Sequence, residues 1–287
     1  MDENASNYIL ITDKSGSKYY INCASKEIQG MKEEFKILEE ALLNSIPSLQ
    51  TVFLDGWVLR LNQKYTYRAN CVCPLIYTEG NHAVEKVRMC EELFGRNKLP
   101  SVFKVTPVLQ DGLSEQLLSL DYRNIKTVNV MRYILKGSAT DIRPEIECSE
   151  IPDDNWLTAS AKLMGVTSAH LVSVHCQGLK NIAVKSIFVK AVCDGKIIGC
   201  GYGTVERGYV GIYNLHVDNE YRHRGIGTSI CHAIINYGRE HDAKFAYLIV
   251  HSKNQNSILL YSHMGFSKLY EYSFYQKSDS PYQIADV

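Results

Sequence analysis

The spacing of apolar residues changes along the chain and separates it into helices and strands. Apolar residues three or four positions apart predict helices, because that spacing puts them on one helix face. Short runs rich in β-branched and aromatic residues predict strands. The predicted helices are residues 27–43, 82–96, 112–120, 153–164, 168–178, 228–241 and 255–263. The predicted strands are residues 51–61, 65–77, 100–107, 127–135, 185–195, 196–206, 209–217, 245–252 and 266–276.

The order of these elements predicts a mixed α/β (α+β) fold with an internal repeat. Both halves end in the series helix, strand, short helix, strand, and the short helices carry the similar phrases "LLSLDY" and "LLYSHMGF". The polar stretch 136–145 is the candidate linker between them. We therefore predict two tandem domains, residues 1–138 and 139–287, each a twisted mixed sheet flanked by helices. The first copy has no glycine motif where its long helix begins.

Composition excludes several classes of protein. With 287 residues, two domains are the more common arrangement. Lys+Arg and Asp+Glu both total 31, so there is no basic excess of the kind that marks nucleic-acid binding. No apolar stretch approaches the roughly 20 residues that cross a bilayer, and the polar N-terminus does not read as a signal peptide. These features predict a cytoplasmic protein with no membrane or nucleic-acid partner.

The cysteines and histidines do not predict a metal site. The nine cysteines lack a framework spacing, which suits reduced thiols. Cys71 and Cys73 are one residue apart, as alternate positions of a strand would be, and tetrahedral zinc sites use wider pairs. His170 and His175 are five apart and match no metalloprotease pattern.

The stretch "YRHRGIGTSICHAII", residues 221–235, combines positive charge with glycines where a helix begins. A helix start leaves about four N–H groups without partners and carries a partial positive charge. Gly225 and Gly227 allow an anion to approach the backbone closely. Arg222, His223 and Arg224 add charge, although their side chains could equally point to water. The stretch predicts a phosphate-binding turn.

Two common phosphate-binding motifs do not fit this turn. A P-loop needs a lysine after its last glycine, and none follows Gly227. A dinucleotide fingerprint needs a third glycine where this chain has Ile230. The pattern that fits is R-x-x-G-x-G after a short strand. The hexapeptide alone is also compatible with a strand-to-helix turn that contains glycines but binds no phosphate.

A wider frame resembles the GNAT superfamily of acyl-CoA N-acetyltransferases. Its signature is a strand L-x-V, then Q/R-x-x-G-x-G/A, then a strand, then N-x-x-(A/S)-x-x-L-Y-x-x-x-G-F. The chain matches it with "IYNLHVDNEYRHRGIGTSI" and "NQNSILLYSHMGF", and the resemblance covers about residues 142–276. In the first half, "DGWVLRL", "YRANCVCPL" and "FKVTP" resemble the degenerate half of a bacterial tandem-GNAT group. There, Trp57 and Arg68 belong to a domain that has lost its cofactor turn.

The resemblance implies that acetyl-CoA is the cosubstrate and that no metal is needed. Its pantetheine arm would lie along Leu215, His216 and Val217, like an added strand in a seam between two strands. Residues 222–228 would wrap the pyrophosphate, namely Arg222, His223, Arg224, Gly225, Ile226, Gly227 and Thr228. Asn254 would hydrogen-bond the CoA arm.

The resemblance also implies two catalytic roles. The Leu215 N–H would stabilise charge on the thioester oxygen, and Tyr261 would donate a proton to the departing thiolate. The base is open, because some family members use a glutamate at the position of Gly211. His216, which alternation places on one face with Asn214, is a candidate with a usable pKa. Glu206 at the end of the preceding strand and a water chain are alternatives.

The expected function is transfer of an acetyl group from acetyl-CoA to a primary amine by direct attack. A small-molecule amine would lie in a pocket between the halves, whereas a protein lysine or N-terminus would need an open groove. A non-catalytic acetyl-CoA-binding module is the second class of function. The oligomeric state, monomer or homodimer, is open. Phosphoryl transfer is disfavoured because the P-loop lysine is absent.

Overall fold

The computed structural model describes residues 8–12, 18–22, 25–77, 82–106, 109–143 and 145–285. The helices are α1 (Ser25–Ser45), α2 (His82–Arg96), α3 (Leu113–Ser119), α4 (Asp154–Leu163), α5 (Ala169–Lys180), α6 (Ile226–Glu240) and α7 (Gln255–His263). The strands are β1 (Tyr8–Thr12), β2 (Lys18–Asn22), β3 (Gln50–Leu54), β4 (Trp57–Leu61), β5 (Val72–Pro74), β6 (Val102–Val105), β7 (Tyr122–Ile134), β8 (Ile146–Ser149), β9 (Lys185–Cys193), β10 (Lys196–Glu206), β11 (Tyr209–Val217), β12 (Phe245–His251) and β13 (Ser267–Lys277).

The strands of the two halves join in one large sheet, and β1 and β2 form a separate hairpin. The order across the large sheet is β3-β4-β5-β6-β13-β7-β12-β11-β10-β9-β8. Pairs β5–β6 and β11–β12 are parallel, and the other neighbours are antiparallel. The predicted mixed α/β fold is confirmed.

The two halves exchange strands at the centre of this sheet. Strand β7 of the first half lies between β12 and β13 of the second, and β13 lies between β6 and β7. The repeat in element order indicated two similar units, but it gave no sign of this interleaving. The division of the chain at residues 138 and 139 stays a prediction, and hydrogen-bonded strands run across it.

The helices lie where the apolar spacing predicted them, within a few residues. The Asp194-Gly195 hairpin signal is confirmed, because both residues have positive φ angles (50° and 73°) between β9 and β10. Strand β8 and the β1–β2 hairpin were not predicted. The residues that precede α2, where the first copy was predicted to lack a glycine motif, lie outside the described residues.

The prediction of one strand over residues 65–77 was wrong outside Val72–Pro74. Only Val72–Pro74 forms a strand, and a tight turn precedes it. Thr66 in that turn has a φ of 58°. The buried Asn70 side chain holds the turn by donating to the carbonyl oxygens of Tyr65 (2.8 Å) and Thr66 (2.9 Å). Because the Asn70 side chain bonds these two carbonyl oxygens, they do not need a neighbouring strand, and the backbone forms a turn here instead of a strand.

Helix α6 packs closely on β10 because that strand presents glycines to it. A Cβ at any of three alternate glycines would press on an isoleucine of α6: Gly199 faces Ile226, Gly201 faces Ile230 and Gly203 faces Ile234. The isoleucines are four residues apart, so they form one ridge of the helix. This packing fixes the start of α6 beside the far end of β11.

Candidate active site

A seam opens between the parallel strands β11 and β12. Their register pairs run from Tyr209–Phe245 to Ile212–Leu248 and stop there. Directly after this point β11 contains a bulge, in which Asn214 and Leu215 together oppose Gly201 of β10. Asn214 has a φ of 47°, a left-handed conformation that asparagine tolerates. The bulge turns β11 away from regular pairing where the seam begins.

The bulge also changes which side chains share a face of β11. Cys200 pairs with His216, and Tyr202 pairs with Tyr213. Cys200 and Tyr202 are two apart on one strand, so His216 lies on the face of Tyr213. The simple alternation that grouped His216 with Asn214 therefore does not hold, because the bulge adds a residue. Both side chains nevertheless line one cavity.

The start of α6 presents free amides at the mouth of this seam. Gly225 caps the helix with a φ of 78°, and the first helical bond runs from Ser229 N to Gly225 O at 3.0 Å. The amides of Ile226, Gly227 and Thr228 thus have no intrahelical acceptor. A cavity of about 450 Å³ lies against them. Free amides beside a glycine turn suit a diphosphate.

The 450 Å³ cavity, here called the helix-start cavity, brings together the predicted CoA-binding residues apart from Arg224. These are Leu215, His216, Val217, Arg222, His223, Gly225, Ile226, Gly227, Thr228, Asn254 and Tyr261. The sequence reasoning missed four further residues on its wall, Tyr221, Asn256, Ser257 and Leu260. All four stand inside the stretches quoted from the sequence, so their position beside the motif residues was the available signal.

Arg224 lies beside the cavity but does not line it. Its guanidinium donates to the Glu220 carbonyl at 2.9 Å and lies over the Tyr221 ring, 5.2 Å from the centroid. Its own carbonyl accepts a hydrogen bond from Arg143. Arg224 thus contacts the wall residue Tyr221 rather than the cavity.

A second cavity, here called the acceptor cavity, continues from the first along the open seam. It measures about 260 Å³ and shares Leu215, His216, Asn254, Ser257 and Tyr261 with the helix-start cavity. Its other wall comes partly from the first half of the chain, through Ile46, Arg68 and Lys126. The two cavities therefore meet at the residues that the sequence assigns to chemistry.

Tyr261 lies on the wall that separates the two cavities. Asn254 positions its helix by accepting a hydrogen bond from Ser257 N (3.1 Å) at the start of α7. The Tyr261 side chain is 9% exposed, and burial, with Cys231 nearby, raises the pKa of its phenol. The phenol therefore stays protonated at neutral pH, the form that a proton donor needs.

His216 lies on the same wall, and its surroundings favour the neutral imidazole. Burial lowers the pKa of its imidazole, and the positive charges of Arg222 and Arg68 lower it further. A neutral imidazole can accept the proton that an amine loses as it attacks a carbonyl carbon.

Glu206 lies at the opposite end of β11 from these residues. It pairs with Tyr209, which is about 23 Å of strand away from His216. Its carboxylate accepts from Asn44 at 2.9 Å and lines neither cavity. Glu206 is therefore not placed to act as the base.

The corresponding seam in the first half is closed by a side chain. Strands β5 and β6 share a single parallel register pair, Val72–Phe103. Beyond it, the buried Gln110 side chain accepts from Thr106 N (2.6 Å) and donates to Pro74 O (2.8 Å). The amide bridges the two strands, so the gap that is open between β11 and β12 is filled here.

The described residues contain no group of three or more His, Cys, Asp and Glu side chains that could hold a metal ion. Eight cysteines fall in the described part of the chain, and all are free. His175 is buried between two hydroxyls, Tyr65 and Ser160, at 2.7 Å each. In the described residues, no helix has the length and apolarity to cross a bilayer.

The splayed parallel strands, the bulge and the glycine turn at a helix start define the fold class of GCN5-related N-acetyltransferases. A solved enzyme of this class from Kribbella flavida covers 85% of this chain and 95% of its own, with a TM-score of 0.65 and 11% identity. A tandem GNAT protein from the clavulanic acid biosynthesis pathway covers 94% of this chain and 97% of its own, with a TM-score of 0.61 and 12% identity.

Within this class the chain belongs to the family described as probable histone acetyltransferase Rv0428c C-terminal, whose profile matches residues 33–275. A curated relative, the uncharacterized N-acetyltransferase YobR of Bacillus subtilis, is 23% identical over 251 residues. That match spans 84% of this chain and 98% of the relative. The membership in the GNAT superfamily that the motifs predicted is confirmed.

Proposed function

We propose that this chain transfers an acetyl group from acetyl-CoA to the primary amine of a small molecule. The observation that carries the proposal is that the β11–β12 seam opens directly beside the free amides at the start of α6. Residues 139–287 supply the cofactor site and the chemistry, and residues 1–138 close one wall of the acceptor cavity.

The residues of the helix-start cavity fit acetyl-CoA. The amides at 226–228 bind the diphosphate, with Arg222 and His223 as further donors. The bulged backbone of Leu215 and Val217 pairs with the pantetheine amides in the open seam. Asn254 uses its side-chain oxygen to cap α7, which leaves its NH₂ group to donate to the arm.

Acetyl-CoA supplies a thioester-activated acetyl group: a C–N bond forms to the acceptor amine, the C–S bond breaks, the amine loses a proton and the sulfur gains one. His216 takes the proton from the amine, because its lowered pKa keeps it neutral. The Leu215 N–H stabilises the negative charge that builds on the carbonyl oxygen. Tyr261, protonated and buried on the shared wall, donates to the sulfur.

The small volume of the acceptor cavity favours a small molecule over a protein side chain. It measures about 260 Å³ and is bounded by both halves of the chain. The family description names histone acetylation, so a protein lysine is the alternative acceptor. A lysine on a folded protein would have to reach a cavity whose walls come from both halves of the chain.

Two measurements test the proposal. Acetyl-CoA should raise the melting temperature, and thiol release should depend on an added amine from a panel of small amines and histone-tail peptides. Tyr261→Phe should lower kcat by about 10²-fold with little change in CoA affinity. Tyr133→Phe is the matched control, since Tyr133 also packs on Phe266 but lines neither cavity.

Stabilisation by CoA without amine-dependent release would favour the non-catalytic binding module. Absence of any stabilisation at millimolar CoA would remove the proposal altogether. Release with histone-tail peptides and not with small amines would retain the chemistry and overturn the small-molecule acceptor.

A further inference from the structure

We propose that the acceptor amine carries a carboxylate, and that Arg68 and Thr66 bind this carboxylate in a small pocket that adjoins the acceptor cavity. The inference rests on the proposed acetyl transfer and names the chemical class of its acceptor. The expected substrates are therefore amino acids rather than polyamines or simple amines.

The subsite is a small pocket that adjoins the acceptor cavity between the two halves of the chain. It measures about 40 Å³ and shares Ile46, Arg68, Met164 and Asn214 with the acceptor cavity. Arg68 is therefore in reach of a molecule whose amine lies at His216. The guanidinium lies close enough to His216 to lower the pKa of its imidazole.

Two polar atoms in this pocket are buried and have no partner within the described residues. They are the Nε of Arg68 and the Oγ1 of Thr66, and both residues line the pocket. Buried polar groups in native proteins are hydrogen-bonded in the large majority of cases, so two such atoms on residues of one pocket need partners from outside the chain. An acceptor with two oxygens satisfies both.

The backbone at Thr66 is strained in the same place. Its φ of 58° and ψ of 142° are unfavourable for a β-branched residue. The Asn70 amide, which accepts from Asn62 N (2.7 Å) and donates to Tyr65 O and Thr66 O, holds this conformation. Such strain is concentrated at ligand sites, where surrounding structure fixes it.

The charge of the pocket selects an anion. Neither the acceptor cavity nor the adjoining pocket has an Asp or Glu among its described lining residues, while Arg68 and Lys126 both contribute positive charge. A planar guanidinium binds a carboxylate through paired hydrogen bonds, which a lone ammonium cannot reproduce. A polyamine would meet only repulsion here. The charge of the pocket thus favours an amine with one negative end.

The experiment compares amines that differ only in the carboxylate. Thiol release is measured at pH 8 with glycine and methylamine, β-alanine and ethylamine, L-lysine and cadaverine, and L-phenylalanine and phenethylamine. The carboxylate member of at least one pair should have a kcat/KM higher by about 10²-fold. Arg68→Gln should bring that ratio toward one, Arg68→Lys should retain part of it, and Thr66→Val should reduce it about tenfold.

Arg123→Gln is the matched control, because Arg123 is 57% exposed and lines neither cavity. It should keep the wild-type ratio. Ratios near one in every pair, or a preference that survives Arg68→Gln in a protein that still melts cooperatively, would overturn the inference while leaving acetyl transfer intact.

A binding measurement decides the matter if no amine in the panel is turned over. Calorimetry with N-acetylglycine, N-acetyl-β-alanine and N-acetyl-L-phenylalanine should show binding that Arg68→Gln abolishes. No binding of any of these acids would overturn the inference. Failure of the proposed function is recognised separately, since it would appear as no stabilisation by CoA.

Discussion

The Tyr213 ring fills the space that a side chain on Gly211 would need. A Cβ at position 211 would overlap the Tyr213 hydroxyl and lie 2.6 Å from the ring carbon that carries it. Tyr213 is fully buried, and its hydroxyl contacts that of Tyr247. Because position 211 is where some GNAT proteins carry a glutamate base, this chain has closed that location with a tyrosine. A carboxylate base at position 211 is therefore excluded in this chain.

Gly211→Ala should therefore destabilise the protein by about 1–3 kcal/mol, since overpacking a filled core forces neighbouring side chains to move. Urea denaturation measures the change. Gly95→Ala is the control, because Gly95 lies inside α2 with no atom within 4 Å of the added Cβ. That variant should gain about 0.5–1 kcal/mol. Equal stability of Gly211→Ala and wild type would contradict the packing described here.

Two neighbouring arginines should differ in their effect on CoA affinity. Arg222 lines the helix-start cavity, whereas Arg224 contacts Glu220 O and the Tyr221 ring. Arg222→Gln should weaken CoA binding about tenfold at low salt and less at high salt, because exposed charges are screened. Arg224→Gln should change it less than about twofold. Calorimetry at two salt concentrations makes the comparison, and equal losses would show that both arginines reach the ligand.

The parts of the site that were predictable from sequence are those specified locally. The glycine turn at Gly225 and Gly227 and the motif positions Asn254 and Tyr261 each depend on a few consecutive residues, so the sequence shows them directly. The bulge at Asn214 was not predictable, because it depends on how β11 pairs with β10. Alternation read from the sequence alone assumes regular pairing throughout a strand.

Two other features could not be predicted, because they too depend on contacts between distant parts of the chain. These are the interleaving of the strands and the contribution of the first half to the site. Arg68 reaches the acceptor cavity only because β7 and β13 cross between the halves and bring them together. Gln110 belongs to none of the motifs found in the sequence, yet its side chain closes the first half's seam by bonding to Thr106 and Pro74. Contacts between residues that are far apart in sequence carry this information.

The pH dependence of activity should carry the signature of a neutral histidine. Burial and two arginines lower the pKa of His216 below the ordinary 6.5. As the pH rises, the imidazole therefore becomes neutral, and able to act as a base, before pH 6.5 is reached. With a weakly basic acceptor, which is itself unprotonated, kcat/KM should rise with pH and level off below about pH 6.5. His216→Gln should remove this rise, and the surface variant His263→Gln should keep it. An unchanged rise in His216→Gln would exclude His216 as the base.

A second histidine, His175, is placed to couple stability to pH. Ser160 Oγ donates to Leu157 O at 2.9 Å, so it accepts from His175 Nε2, and His175 Nδ1 accepts from the Tyr65 hydroxyl. When the imidazole is neutral, every N–H and O–H in this series of hydrogen bonds has an acceptor. Burial, with His216 as a second cause, lowers the pKa of His175 to about 4 from an ordinary 6.5. The ring links the two halves, since Tyr65 comes from the first.

Stability should therefore fall as the pH drops from about 6.5 to about 4. In that range the unfolded chain binds a proton that the folded His175 does not, so the contribution present above pH 6.5 is lost, by about 3 kcal/mol in all. Urea midpoints measured across this range test it. His175→Gln should be less stable at pH 7 and flatter in its pH dependence, whereas His170→Gln, on the exposed side of α5, should follow wild type. Parallel curves for wild type and His175→Gln would show that His175 does not titrate in this range.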